Sequence, residues 1–169
     1  MKSIPSRYLW LAIALFSAGL VGGSLILVAW LKLEPCPLCI FQRLLFMIMS
    51  VLAFTAFFCA NRPVRRAAGV LTLFTAISGA GVAAYHVWLQ AQPAAKFMCG
   101  GGDPNLIERL VDWLGQQVPF LFLSTGMCQD TALTILGLSL AAWSLVAFAA
   151  SAAACLWTLM GRRVEVIAR

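Results

Sequence analysis

PCPLCIFQRLLFMIMSVLAFTAFFCANR, residues Pro35 to Arg62, decides the fold. Eighteen uncharged residues separate Arg43 from Arg62. Crossing a hydrocarbon core of about 30 Å takes roughly 20 apolar residues in a helix, so this run spans a bilayer if Ile40 to Arg43 form its first turn. Three other charge-free gaps are longer: twenty-four residues between Arg7 and Lys32, twenty-nine between Arg66 and Lys96, and thirty-one between Asp130 and Arg162. Hydrophobic residues make up 62% of the 169 positions and charged residues 11%, a composition that soluble domains do not reach. One helix per gap predicts an all-α integral membrane protein, a four-helix bundle with spans at about 9–31, 40–59, 68–89 and 136–160.

Lys2 and Arg7 ahead of an apolar run also fit a secretory signal. The run is too long for a signal core and no A-x-A site follows it, so the first span is expected to be retained. Tyr8 and Trp10 at one end and Trp30 at the other fit interfacial anchors, and Tyr85, Trp88, Trp143 and Trp157 recur near other span ends, although filling of the helix bundle accounts for any one of them equally.

Four spans put both termini (1–8 and 161–169) and the 60–67 connection on one side. That side carries Lys2, Arg7, Arg62, Arg65, Arg66, Arg162, Arg163 and Arg169 against Glu165, a balance of +7. The other side, loops 32–39 and 90–135, has a balance of −2. The positive-inside rule makes the first side cytoplasmic. The basic character of the chain is thus a topology signal, and no basic patch interleaved with aromatics points to nucleic acid.

The six cysteines then divide. Cys59 and Cys155 fall near the cytoplasmic ends of spans two and four, where a free cysteine packs as a small hydrophobe. Cys36, Cys39, Cys99 and Cys128 all face the outer compartment, where two disulfides are the default. Three connectivities are possible, the most economical pairing Cys36 with Cys39 and Cys99 with Cys128.

Cys39 opens span two, beside unpaired helix N-terminal amides and the positive end of the helix dipole, which stabilise negative charge on its sulfur. Arg43, at i+4, shares that face. A guanidinium in a membrane either snorkels to the headgroups or steadies charge on the thiolate and on a bound electron acceptor. The long outer loop holds a predicted helix capped by Asp103 with Pro104 at its first position; Leu106, Leu110, Val111 and Leu114 line one face, with Trp113 at its edge and Glu108, Arg109 and Asp112 on the polar side. Such a helix either lies flat among headgroups or packs on the bundle.

A dithiol that oxidises other proteins needs an electron sink. Gly100-Gly101-Gly102 precedes no βαβ unit, which excludes a dinucleotide fingerprint, and Ile40 after Cys39 excludes c-type haem attachment. A lipid-soluble quinone remains, needing only a pocket between helices beside Cys39. His86, near the outer end of span three, either completes the pocket's polar wall or is simply hydrogen-bonded there.

Pro35-Cys36-Pro37-Leu38-Cys39-Ile40-Phe41-Gln42-Arg43 resembles the quinone-linked signature of the DsbB family of bacterial inner-membrane thiol oxidases. Four spans, a long second outer loop with Cys99 and Cys128, and His86 thirteen residues before Cys99 extend the resemblance over nearly the whole chain. The resemblance implies that Cys36 and Cys39 are reoxidised by ubiquinone or menaquinone with Arg43 at the quinone. It implies that Cys99 and Cys128 form the disulfide that oxidises a periplasmic thioredoxin-like partner of the DsbA type, the mixed disulfide forming at Cys99. No resident metal is expected. DsbA-type partners have potentials near about −120 mV, so their reoxidation needs a still more positive acceptor, as a quinone pool is. Gln42 stands where some members carry an acid, and the Gly100–Gly102 run departs from the pattern after Cys99.

Two alternatives stand beside this expectation. One is a thiol enzyme working as a reductase, like the vitamin K epoxide reductase family, disfavoured because C-x-x-C opens span two rather than lying near the last span. The other is a zinc-binding membrane protein, disfavoured because there is no second C-x-x-C.

Overall fold

The computed structural model describes residues 6–92, 105–126, 128 and 133–167. Helices α1 (Ser6–Leu31), α2 (Pro37–Phe58) and α3 (Arg62–Gln90) are followed by the short α4 (Leu106–Gln117) and α5 (Pro119–Phe122), a two-stranded hairpin β1 (Thr134–Ile135) and β2 (Leu138–Ser139), and α6 (Leu140–Ile167). α1, α2, α3 and α6 are each long and apolar enough to cross a membrane, giving the all-α, four-span architecture read from the charge gaps.

Prolines set two of the starts. Pro37 follows the N-cap Cys36 and Pro63 follows Asn61, each within the first turn, where a missing N–H costs nothing and the fixed φ suits a helix. The fourth membrane helix starts at Leu140, which corrects the expected start at 136. Residues 134–139 form the antiparallel hairpin instead, because Leu136 and Gly137 both take positive φ (54° and 79°), as a two-residue hairpin turn of this hand requires. Apolarity alone had merged the hairpin with the helix.

α1 packs on α2, α2 on α3 and α3 on α6, whereas α1 and α6 meet only sparsely, leaving a cleft between them. Small residues bring α3 close to its neighbours. The ring of Phe148 covers the position where a side chain at Gly79 would stand, and Trp10 covers Gly69. Phe148 in turn stacks on Phe46 with ring centroids 3.9 Å apart. Cys155 is wholly buried in this core, as expected of a small hydrophobe, while Cys59 caps the end of α2. Hydroxyls inside the bundle spend their protons on backbone carbonyls: Ser17 on Ile13, Thr72 on Ala68, and Ser50 across to Ala14 of α1 at 3.0 Å. That satisfies groups that hydrocarbon cannot.

The helix predicted in the outer loop exists, with its start and its face corrected. Asn105, not Asp103, is the N-cap, in a capping box with Glu108 whose carboxylate accepts from the Asn105 N–H at 2.9 Å. Asp103 and Pro104 lie outside the described residues. Val111 and Gly115 are buried, with Val111 against Ile40 of α2 and Phe122 of α5, so α4 packs on the bundle. Leu106, Leu110 and Trp113 point outward instead of forming the packed face.

Candidate functional site

Cys36 ends the connection after α1 in extended conformation (φ −81°, ψ 163°) and caps α2, its sulfur accepting from the Cys39 N–H at 3.4 Å. One helical turn brings the two sulfurs to 3.1 Å. Cys36 is buried, and Cys39 is half-buried. The first turn of α2 thus brings the expected local pair together, here as two free thiols and not a closed disulfide.

The second outer loop is pinned to the first. The N–H groups of Thr125 and Gly126 both donate to the Pro35 carbonyl, at 3.1 and 3.2 Å. Gly126 presses so closely on the Glu34 backbone that any side chain there would collide with it. This crossing carries Cys128 into a buried cluster with Cys36, Leu38 and Leu89. The Cys128 sulfur hydrogen-bonds the Cys36 side chain and accepts from the Leu38 backbone, and the first of these contacts leads in holding its thiol down to about 7. Cys36 is pushed the opposite way, upward, by its contacts with Cys128 and then Cys39, and by burial. Of these two neighbours, Cys128 is the one whose thiol ionises more readily. Cys99, expected as its partner, lies outside the described residues.

His86 is 1% exposed and belongs to the same cluster of polar groups. Its Nε2 stands 3.7 Å from the Cys36 sulfur, and its Nδ1 stands 3.3 Å from the Gln42 amide nitrogen. Gln90, one turn along α3, reaches Nε2 at 3.5 Å. The imidazole is thus held between two glutamines and beside a reactive sulfur, so its ring plane is set by three neighbours. Gln90 carries no sequence expectation, and Gln42 stands out in the sequence only as a departure from the family pattern. Both are uncharged polar residues within apolar helices, one turn from Cys39 and His86 respectively, and that spacing was the available signal.

Arg43 does not snorkel. It is 7% exposed, donating from Nε to the Ser24 hydroxyl of α1 at 3.1 Å and from a terminal nitrogen to the Leu121 carbonyl of α5 at 2.9 Å. Two of its five N–H donors are committed to positioning the fork. A cavity of about 560 Å³ lies in the cleft between α1, α2 and α6, and Cys39, Arg43 and His86 all line it. Most of the remaining wall is apolar, with Gly19 and Gly23 leaving the α1 side open. An apolar chamber with a few convergent polar groups at one end has the character of a small-molecule pocket.

The model of the family described as "Disulfide bond formation protein DsbB" matches residues 6–158. The chain is 42% identical over 149 residues to a disulfide bond formation protein B of Dechloromonas aromatica, an alignment covering 88% of both chains. It is 40% identical over 160 residues to the protein of that name from an Azoarcus species, covering 94% of this chain and 95% of the relative. A disulfide bond formation protein B 1 of Pseudomonas fluorescens is 38% identical over 84% of this chain and 82% of its own.

Proposed function

The chain belongs to the disulfide bond formation protein DsbB family, a membrane disulfide-forming oxidoreductase, and we propose that it reoxidises a periplasmic thioredoxin-like partner of the DsbA type and passes the electrons to a membrane quinone. On this reading it is a multi-pass protein of the bacterial inner membrane, both termini cytoplasmic, with Cys36, Cys39, Cys99 and Cys128 on the periplasmic side. The observation that carries the proposal is the contact between the Cys128 and Cys36 sulfurs, which links the partner-facing loop to the dithiol at the head of α2.

The relay follows from that contact. A reduced partner gives two electrons to the Cys99–Cys128 disulfide and leaves oxidised. The Cys128 thiolate attacks Cys36 of the Cys36–Cys39 disulfide, forming a Cys36–Cys128 bond and releasing Cys39 as thiolate. Cys99 then attacks Cys128, restoring its own disulfide and leaving Cys36 and Cys39 reduced. The leaving group departs toward the N-terminal amides of α2 and the Arg43 guanidinium, both of which favour negative charge on sulfur.

Ubiquinone or menaquinone fits the cavity by its apolar walls and by the Arg43 donors at the end where Cys39 stands. Cys36 and Cys39 would give up two electrons and two protons there as they become a disulfide, a bound quinone supplying the electron sink. Arg43 orients its carbonyl, while His86, held by Gln42 and Gln90, forms the adjoining polar wall.

The test is purified protein with a reduced thioredoxin-like oxidant and a short-chain quinone, following quinone absorbance. A Cys39→Ser variant should stop turnover, because the Cys36–Cys39 disulfide that Cys128 attacks can no longer form, whereas Cys99→Ser, which lacks the thiol that resolves the intermediate, should accumulate a Cys36–Cys128 disulfide with Cys39 released, read by peptide mass spectrometry. Quinone reduction that survives Cys39→Ser refutes the assigned exit for the electrons.

A further inference from the structure

Cys36, Cys39 and His86 present two sulfurs and a ring nitrogen that all lie within 4.8 Å of one another. The Cys36 sulfur and His86 Nε2 are 3.7 Å apart, and the two sulfurs are 3.1 Å apart. Around a tetrahedral zinc ion with bonds of roughly 2.3 Å to sulfur and 2.0–2.1 Å to nitrogen, sulfur and nitrogen stand about 3.6 Å apart and two sulfurs about 3.8 Å apart. The sulfur–nitrogen spacing already matches, and the sulfur–sulfur spacing is met by a small rotation of the half-buried Cys39 side chain. The second C-x-x-C that the sequence lacks is replaced by a histidine from α3, fifty residues away.

The surroundings complete the site. A metal-bound imidazole gives its lone pair from one nitrogen and donates the other N–H to an outer partner that fixes the ring. Gln42 is 3% exposed and faces His86 Nδ1 at 3.3 Å. With its amide turned so that the oxygen faces the ring, it accepts that N–H, and the Gln90 amide now 3.5 Å from Nε2 gives way to the ion there. Cys128 packs against Cys36 outside this set of three donors. Glu34 and Pro35 of the outer connection line the same cavity as all three ligands, giving an aqueous cation a route in from that side.

We propose that the reduced protein holds one Zn²⁺ at Cys36, Cys39 and His86, and that this captures the enzyme in its electron-loaded state. Binding releases the two thiol protons and forms two Zn–S bonds and one Zn–N bond; nothing is oxidised or reduced. The disulfide form offers no thiolate, so the site exists only after electrons arrive and before they leave. An ion bound there occupies both sulfurs and stops the dithiol from being oxidised, which makes the site a redox-gated point of inhibition by thiophilic metals. The inference does not rest on the quinone reading, since it needs only the reduced sulfurs and the histidine.

The test is direct binding to the purified full-length protein in detergent, reduced or oxidised, using Zn²⁺ against a chromophoric chelator and Co²⁺ as a spectroscopic substitute. One Zn²⁺ per reduced chain is expected, with the intense visible bands of tetrahedral thiolate-bound Co²⁺, and none in the disulfide form. His86→Ala should weaken Zn²⁺ at least tenfold, and Gln42→Leu by about 10- to 100-fold through loss of the outer partner. The Gln42 variant carries the test if His86→Ala loses its helical circular dichroism. Equal binding by the oxidised form, an octahedral Co²⁺ spectrum, or unchanged affinity in a folded His86 or Gln42 variant overturns the proposal. Failure of the quinone reading would leave these binding results untouched.

Discussion

Replacing Arg43 with alanine removes the one guanidinium at the polar end of the cavity. Its Nε and one terminal nitrogen are tied to Ser24 and Leu121, so the fork is held in place before any ligand enters the cavity that Arg43 lines. A hydrogen bond from a charged donor is worth about 1.5–3 kcal/mol. Its loss therefore corresponds to roughly a 10- to 150-fold rise in the KM for a short-chain quinone. Arg43→Lys keeps the charge but cannot keep both anchors and the fork, and should fall between wild type and alanine. The assay is steady-state quinone reduction driven by a reduced thioredoxin-like protein, with the quinone varied, alongside a quinone-free single turnover that reports only thiol exchange. KM should rise while the single-turnover exchange with the outer loop changes little. An unchanged KM in Arg43→Ala would mean that the residue merely ties α1 and α5 to α2, and the quinone pocket would have to be sought elsewhere.

Other outcomes follow from the same geometry. Cys128→Ser should abolish oxidation of the protein partner yet leave quinone reduction by a small dithiol that reaches Cys36 and Cys39 directly; loss of both activities would show that Cys128 is not a relay. Gly23 lines the cavity with open space around it, so Gly23→Leu should project into the chamber, raising the quinone KM at least about tenfold without lowering the unfolding temperature, because glycine inside a helix is itself costly by roughly 0.5–1 kcal/mol. A matching loss of stability would mean the cleft is closed in the membrane. Gly79→Ala should behave oppositely, since its Cβ would overlap the Phe148 ring that stacks on Phe46; overpacking of this kind costs about 1–3 kcal/mol, read as a lower unfolding temperature in detergent with quinone KM preserved.

Hydropathy and charge carry one-dimensional information, and what they reach is local. The gaps between charges sufficed for four spans and for the side on which arginines gather, because burying a charge in hydrocarbon is costly wherever the chain goes. C-x-x-C followed by Arg43 likewise lies within two turns of one helix, so its shared face was readable from spacing alone. The merged hairpin and fourth helix show where that logic stops: Ile135 to Leu140 are almost all apolar, and only the positive φ at Leu136 and Gly137 separates turn from helix. The cap at Asn105 was missed for a related reason, Asp-Pro and Asn-Leu being both acceptable starts until packing of Val111 on Ile40 chose the register.

What the sequence determined by itself was the membrane class, the number of the spans, and a dithiol at the head of the second one, all of which depend on neighbours a few residues apart. Tertiary structure alone decided that Cys128 meets Cys36, that His86 stands between Gln42 and Gln90, and that α1 and α6 part to leave a chamber beside Arg43. The Gln42–His86 and Cys36–Cys128 contacts join residues 44 and 92 positions apart, and nothing in a periodic pattern specifies which of several apolar faces will pair. They are set by the close approaches at Gly69, Gly79 and Gly126, where the absence of a side chain lets particular segments meet.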